Sequence, residues 1–187
     1  MSILFNRLAT VALCGIIGGN AVTAHAAGED KPAKKPLPAG DVVVSRSVRA
    51  EAGEIYTWLL DLDHHRQIWP EGCTSKWEYG TTTAGIGANA RLTYRVAMMR
   101  RRLTATVSEG DPGRYLKVDH AGRTGFATTW TLNDLGSGQT RVEVHTWVDP
   151  PPWPLTATYM NRIRPAWAEC HRGLLDNLAR EMTGTAP

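Results

Sequence analysis

The stretch TATYMNRIRPAWAECHRGLLDNLAREM, residues 156–182, decides how the rest of the chain is read. Met160, Ile163, Trp167, Cys170, Leu174 and Leu178 recur at spacings of three or four, which places them on one face of a helix. Arg162, Glu169, Arg172, Asp176 and Arg180 fall on its other faces, as water on one side requires. Pro165 removes a backbone donor and crowds the preceding turn, so the helix is expected to bend or restart between Asn161 and Pro165. A single long amphipathic helix that follows a run of strands fills the hollow of a curved sheet. A bent one fills it unevenly, and the gap is where function is expected.

Upstream of that helix the period is two. Leu92, Tyr94, Val96 and Met98 alternate with Arg91, Thr93 and Arg95, the pattern of a half-buried strand. Leu103, Ala105 and Val107 repeat it, and Asp111, Pro112 and Gly113 mark a turn. Leu116 and Val118, then Phe126, Thr128, Trp130 and Leu132, then Val142, Val144 and Val148 supply further strands, with a turn at Gly136, Ser137 and Gly138. Ser75, Trp77 and Tyr79 start the series, and residues 80–87 form a loop. Before it, residues 51–62 change to helical spacing through Ile55, Trp58, Leu59 and Leu62, and a second short helix covers 64–68 and stops at Pro70. Val42, Val44 and Val48 make an opening strand. Strands joined by short turns are antiparallel neighbours, so the sequence predicts one α+β domain over residues 41–182, with residues 183–187 a disordered tail.

The N-terminus reads differently. Arg7, the apolar run 8–17 and Ala24, His25 and Ala26 have the layout of a cleavable signal peptide over residues 1–26. The run is shorter than the roughly 20 residues of a transmembrane span. Cys14 invites a lipoprotein reading, but Leu13 stands where a small residue is needed. Residues 27–40, rich in lysine, proline and small side chains, are expected to be a flexible linker. A periplasmic or secreted location, with no lasting membrane anchor, follows as an expectation. In an oxidising compartment Cys73 and Cys170 are able to pair. The place of Cys170 on the core-facing stripe argues instead for two separate buried thiols.

Several local sequences resemble the START-like superfamily called SRPBCC, in particular its polyketide cyclase/dehydrase branch. They are Ile68-Trp69-Pro70-Glu71, Gly85-Ile86-Gly87-Ala88, Arg101-Arg102-Leu103-Thr104-Ala105-Thr106-Val107 and Thr129-Trp130-Thr131-Leu132. The resemblance implies a helix-grip fold, a curved antiparallel sheet wrapped around the C-terminal helix with a deep apolar cavity. It does not choose among lipid carriage, small-molecule binding and cyclisation.

The net charge of +3 is spread along the sequence, and Arg100, Arg101 and Arg102 read as a solvated hairpin, which argues against a nucleic-acid partner. No hydrolase elbow, phosphate loop, dinucleotide fingerprint or zinc-ligand spacing is present, so no cofactor or metal is expected. Asp61, Asp63, His64 and His65 cluster, but adjacent histidines on a helix diverge by about 100°, and a solvated helix junction is the simpler reading. Trp58, Trp69, Trp77, Trp130 and Trp167 fall at interior positions, where they either pack the core or line an aromatic pocket. The candidate ligand-binding residues are Trp69, Trp77, Tyr94, Met98, His120, Phe126, Thr128, Trp130, Met160, Ile163 and Trp167. Tyr94, His120, Thr128 and Arg123 are the polar groups to weigh for acid–base work.

The expected partner is a hydrophobic small molecule or lipid held inside an exported binding protein. The alternative is a cyclase or dehydratase using the same cavity. A continuous cavity below about 300 Å³ would point instead to a partner-binding domain in which the gap serves packing alone.

Overall fold

The computed structural model describes residues 41–122, 125–148 and 158–184. The expected signal peptide, linker and tail therefore fall outside or nearly outside the described residues, as do Arg123, Thr156 and Ala157. The chain order is strand, two helices, six strands, helix. Strand β1 (Asp41–Val48) leads into α1 (Ala52–Leu59) and α2 (Leu62–Ile68). Then come β2 (Thr74–Tyr79), β3 (Asn89–Val96), β4 (Met99–Asp111), β5 (Tyr115–Ala121), β6 (Phe126–Gly136) and β7 (Gln139–Val148). A π-helical turn (Tyr159–Ile163) runs into the long helix α3 (Arg164–Thr183).

The seven strands form a single sheet in the order β1-β7-β6-β5-β4-β3-β2, every pair antiparallel. The sheet curves, with one face turned toward the helices, and α3 packs along it: the helix-grip fold. Register shifts between Ser75 and Glu78, Val107 and Glu109, and Asp134 and Gly136 supply local bends of the kind that curl a sheet. Inward positions alternate as the period of two demands: Leu92, Tyr94 and Val96 on β3, Leu103, Ala105 and Val107 on β4, and Leu116, Val118 and His120 on β5 are all buried.

Two details of β3, β4 and α3 differ from the sequence pattern. Val96 pairs with Met99, so β3 and β4 are joined by a two-residue turn at Ala97 and Met98, and Met98 does not continue the strand. Ala97 takes a φ of 51°, as a tight hairpin turn requires, without the glycine or asparagine that advertises one. In the long helix the expected break is a π-helical turn ending just before Pro165. Its extra residue rotates the stripe, so Tyr159 is buried at 1 % exposure while Met160 is only partly covered. Below the break Ile163, Trp167, Cys170, Leu174 and Leu178 are buried as the spacing requires, joined by His171 and Leu175. Gly184 ends the helix in the left-handed conformation at φ 63°.

The cysteines correct an expectation. Cys73 and Cys170 form a disulfide, with Cα atoms 6.1 Å apart. The loop 69–73 between α2 and β2 crosses the inner face of α3, which is why a core-facing cysteine meets a loop cysteine. The crossing is tight because residue 173 is glycine: a Cβ there would stand 2.7 Å from Cγ of Pro70. Asn177 donates from Nδ2 to the Ile68 carbonyl at 2.8 Å along the same seam. This cross-link joins residues 97 apart in sequence, and it constrains a long loop of the unfolded chain. Replacing both residues, Cys73→Ser with Cys170→Ser, is expected to lower unfolding stability by about 2–4 kcal/mol in a denaturant titration. Equal stability of the two proteins would show that the seam does not hold the fold.

Candidate functional site

Between α2 and the sheet the inward side chains meet around a small chamber. Tyr94, Ala105, Val118, His120, Thr128 and Trp130 form its floor on β3 to β6. Leu62, His65 and Trp69 from α2 and its end close the top, and Trp77 from β2 closes one side. The bulge at Lys76, with φ 56°, breaks simple alternation in β2 just before Trp77. On the α3 side, six rings interlock: Trp69, Tyr94, His120, Phe126, Trp167 and His171. Phe126 stacks on His120 with centroids 4.2 Å apart, and Trp167 stacks on His171 at 5.5 Å. Edge contacts tie Trp167 to Phe126 at 5.1 Å and Trp69 to Tyr94 at 5.3 Å.

Among the described residues, this chamber is not the open cavity that was expected. The space left among the rings is about 10 Å³, room for one water-sized sphere. The same rings that were expected to line a pocket fill it, because their edge-on packing leaves few gaps.

Polar atoms are sealed in with them. Tyr94 Oη and His120 Nδ1 lie 3.1 Å apart. Burial raises the Tyr94 phenol above its ordinary value, so it keeps its proton, and with Tyr94 donating to Nδ1 the neutral imidazole carries its own proton on Nε2. In that arrangement the pair offers a hydrogen-bond donor to a guest. His65 must donate from Nε2 to the Leu59 carbonyl, 2.7 Å away, which leaves its Nδ1 a bare acceptor. His171 Nε2 lies 3.2 Å from the Thr146 hydroxyl, which in turn lies 3.0 Å from that of Thr128. Among the described residues, two of the buried atoms without a partner lie in this cluster: Nδ1 of His171 and the indole Nε1 of Trp167.

Of the residues singled out in the sequence, Trp69, Trp77, Tyr94, His120, Thr128 and Trp130 border the chamber. Phe126 and Trp167 back it in the ring cluster. Ile163 is buried one turn before Trp167 and Met160 is partly covered, but neither borders the chamber. Met98, 69 % exposed on the hairpin turn, lies outside it. The acidic and histidine cluster disperses: Asp61 caps α2 through Asp63 N, Asp63 accepts from Tyr79 Oη at 2.6 Å, and His64 stacks on Trp58. His65 corrects the solvated-junction reading, since it is 4 % exposed and faces inward. His171 was missed, although its spacing of four after Trp167 and three before Leu174 places it on the buried stripe. Among the described residues no three histidine, cysteine, aspartate or glutamate side chains converge as metal ligands.

A family model described as "polyketide cyclase / dehydrase and lipid transport" matches residues 39–183. The fold resembles the solution structure of KanY protein (ms6282), at 17% identity and TM-score 0.64 over 77% of this chain and 97% of that one. It also resembles TTHA0849 from Thermus thermophilus, at 16% identity and TM-score 0.64 over 79% and 99%. A third likeness is to the Zhui aromatase/cyclase from Streptomyces sp. R1128, at 16% identity and TM-score 0.61 over 76% and 93%. At these identities the likeness establishes the fold alone. No curated protein matches the chain in sequence.

The three enclosed imidazoles make stability depend on pH. Burial, the largest cause for each, lowers His65 from 6.5 to about 4 and His120 and His171 to about 3. His120 is lowered further by its two histidine neighbours. The unfolded chain takes up these protons near pH 6.5, while the folded chain resists until about pH 3–4. These groups therefore leave stability unchanged above about pH 7.5 and reduce it as pH falls through 6.5 toward 4. The slope approaches about 1.4 kcal/mol per pH unit for each histidine. Denaturant unfolding at pH 7.5, 6, 5 and 4.5 checks this, and a flat profile from 7 to 5 would contradict it.

Proposed function

Because the chain belongs to the polyketide cyclase/dehydrase and lipid-transport family, of the SRPBCC type, we propose that its aromatic chamber receives an apolar small molecule bearing a hydrogen-bond acceptor. One observation carries the reading. An unpaired buried donor costs about 1–3 kcal/mol, and the Trp167 indole N–H is shut inside the ring cluster with nothing to bond. Packing alone is better served by a phenylalanine there. The rings of the cluster offer faces and edges to a flat guest, and the indole N–H offers a donor to a carbonyl or phenol oxygen on it.

Binding then requires the closed interior to open. The seam between the 69–73 loop and α3 is the natural place, since Trp69 hangs from that loop and touches Tyr94, Trp167 and His171. Swinging the loop outward withdraws one wall of the cluster while the sheet stays intact. We further propose that the protein works outside the cytoplasm. The N-terminal signal-like pattern supports this, and so does the Cys73–Cys170 disulfide, a bond that persists in oxidising compartments.

A second reading has its own support: with about 10 Å³ of free interior, the gap serves packing alone and the domain acts by binding a partner. An enzyme reading draws on the Tyr94–His120 pair, whose neutral imidazole is able to pass a proton once Tyr94 turns away.

Native mass spectrometry and unbiased organic extraction of the purified chain separate these readings. A copurified apolar molecule is expected, together with saturable quenching of tryptophan fluorescence by 2-methyl-1,4-naphthoquinone. Trp167→Phe is expected to weaken that binding about tenfold, from the loss of one buried hydrogen bond. No copurified mass and no saturable binding of quinone, sterol or fatty acid would leave the packing reading standing. Turnover lost in His120→Ala with binding retained would move the assignment to an enzyme.

A further inference from the structure

The outer face of the sheet, turned away from the chamber, carries charge that the fold does not use. Leu92, Tyr94, Leu103 and Ala105 are buried inward, so Arg91 and Arg95 of β3 and Arg100 and Arg102 of β4 project outward. Lys76 joins them from the bulge in β2, where it shares a depression of about 370 Å³ with Glu78, Thr93, Arg100 and Arg102. A second depression of about 280 Å³ runs along Arg91, Arg102 and Thr104. Arg95 stands directly opposite Arg100 in the register, a like-charge pairing that destabilises a sheet. Glu78 is the one carboxylate lining these depressions, and both its oxygens are taken by Arg102 at 2.7 and 2.8 Å. Among the described residues no carboxylate lies within ion-pair reach of Lys76, Arg91, Arg95 or Arg100. Along β2 to β4 these five cations face one carboxylate, an excess of four charges on this part of the outer face, while Asp119 of β5 and Glu143 of β7 lie further along it. Charge that reads as dispersed along the chain is thus gathered by strand register onto the β2–β4 part of that face.

The hairpin that carries the charge ends in an apolar tip. Met98 is 69 % exposed on the turn, with Ala97 exposed beside it. Arg95 and Arg100 flank that tip on the outer side. Arg101, paired with Tyr94 and so on the opposite side of the ribbon, is exposed past the edge of the core. An apolar end collared by guanidinium groups on both sides suits a water–lipid boundary, where the tip sits below the phosphates and the long basic side chains reach back to them. Single-stranded nucleic acid fits less well. It stacks on aromatic side chains, and of the aromatics of these strands Trp77 and Tyr94 turn inward to the chamber while Tyr79 bonds Asp63 of α2. An acidic protein would answer the arginines but not the exposed methionine at their centre.

We propose that the β3–β4 hairpin docks the protein on an anionic lipid bilayer, with Met98 at the headgroup boundary and Arg95, Arg100 and Arg101 on lipid phosphates. The proposal stands on this face alone and holds whether or not the chamber takes a ligand. Full-length protein is incubated with phosphatidylcholine vesicles with and without phosphatidylglycerol, and binding is read by cosedimentation and by hydrogen exchange. Binding that needs phosphatidylglycerol, weakens with added salt and protects the amides of residues 95–102 is expected. Arg95→Gln with Arg100→Gln should reduce partition about tenfold or more, and Met98→Asp should also reduce it, each with no loss of melting temperature. Partition unaltered by these substitutions, or protection confined to other segments, overturns the proposal. Binding to heparin without binding to vesicles also overturns it and assigns the face to a soluble polyanion.

Discussion

Burial of Trp167 against Trp69, Tyr94 and Phe126 is the interaction on which the rest of this structure depends. It brings α3, the α2–β2 loop and the inner face of β3 and β6 to a common point. Each aromatic contact adds about 0.5–1.5 kcal/mol beyond area burial, so the cluster is a strong reason for the helix to sit where it does. Yet the same cluster shuts in Trp167 Nε1 and His171 Nδ1 without partners and holds two imidazoles neutral, with His65 a third across the chamber. A core selected for stability alone has no use for such groups. Their presence is what supports the ligand reading proposed above.

The seam beside the cluster joins the 69–73 loop to α3. Pro70 lies over Gly173, Asn177 holds the Ile68 carbonyl, and the disulfide fixes Cys73 to Cys170. These ties all fall on one short loop, and Trp69 is part of it. The sheet is far more heavily bonded, with seven strands paired antiparallel from edge to edge. The proposed opening at this loop would leave the sheet in place.

Much of the fold was legible because its signals are periodic. The alternation of Leu92, Tyr94 and Val96 and the spacing of Ile163, Trp167, Cys170 and Leu174 record burial directly. Pro165 located the helix break, though the π-helical turn that moved Tyr159 inward in place of Met160 has no residue signature of its own. Met98 was misplaced because the hairpin turns on Ala97, which carries none of the usual turn chemistry. The disulfide was not readable: it depends on a loop crossing a helix at Gly173, a contact between segments 97 residues apart. Periodicity also placed the aromatic residues inward but said nothing about their rotamers. Whether such rings surround a space or occupy it is decided by side-chain packing, and here they occupy it. Likewise, the sequence showed three adjacent arginines, while only the register showed Arg95 facing Arg100.

The central claim is that the closed ring cluster gives way to a guest, with Trp167 as its hydrogen-bond donor. The most direct measurement is the indole N–H region of a two-dimensional proton–nitrogen NMR spectrum, assigned with single Trp→Phe variants, during titration with 2-methyl-1,4-naphthoquinone. The account predicts that the signals of Trp69, Trp130 and Trp167 move together, Trp167 the most, while that of Trp147, 40 % exposed on β7, stays in place. A titration that moves Trp147 alone, or leaves Trp167 unmoved at saturation, would contradict it.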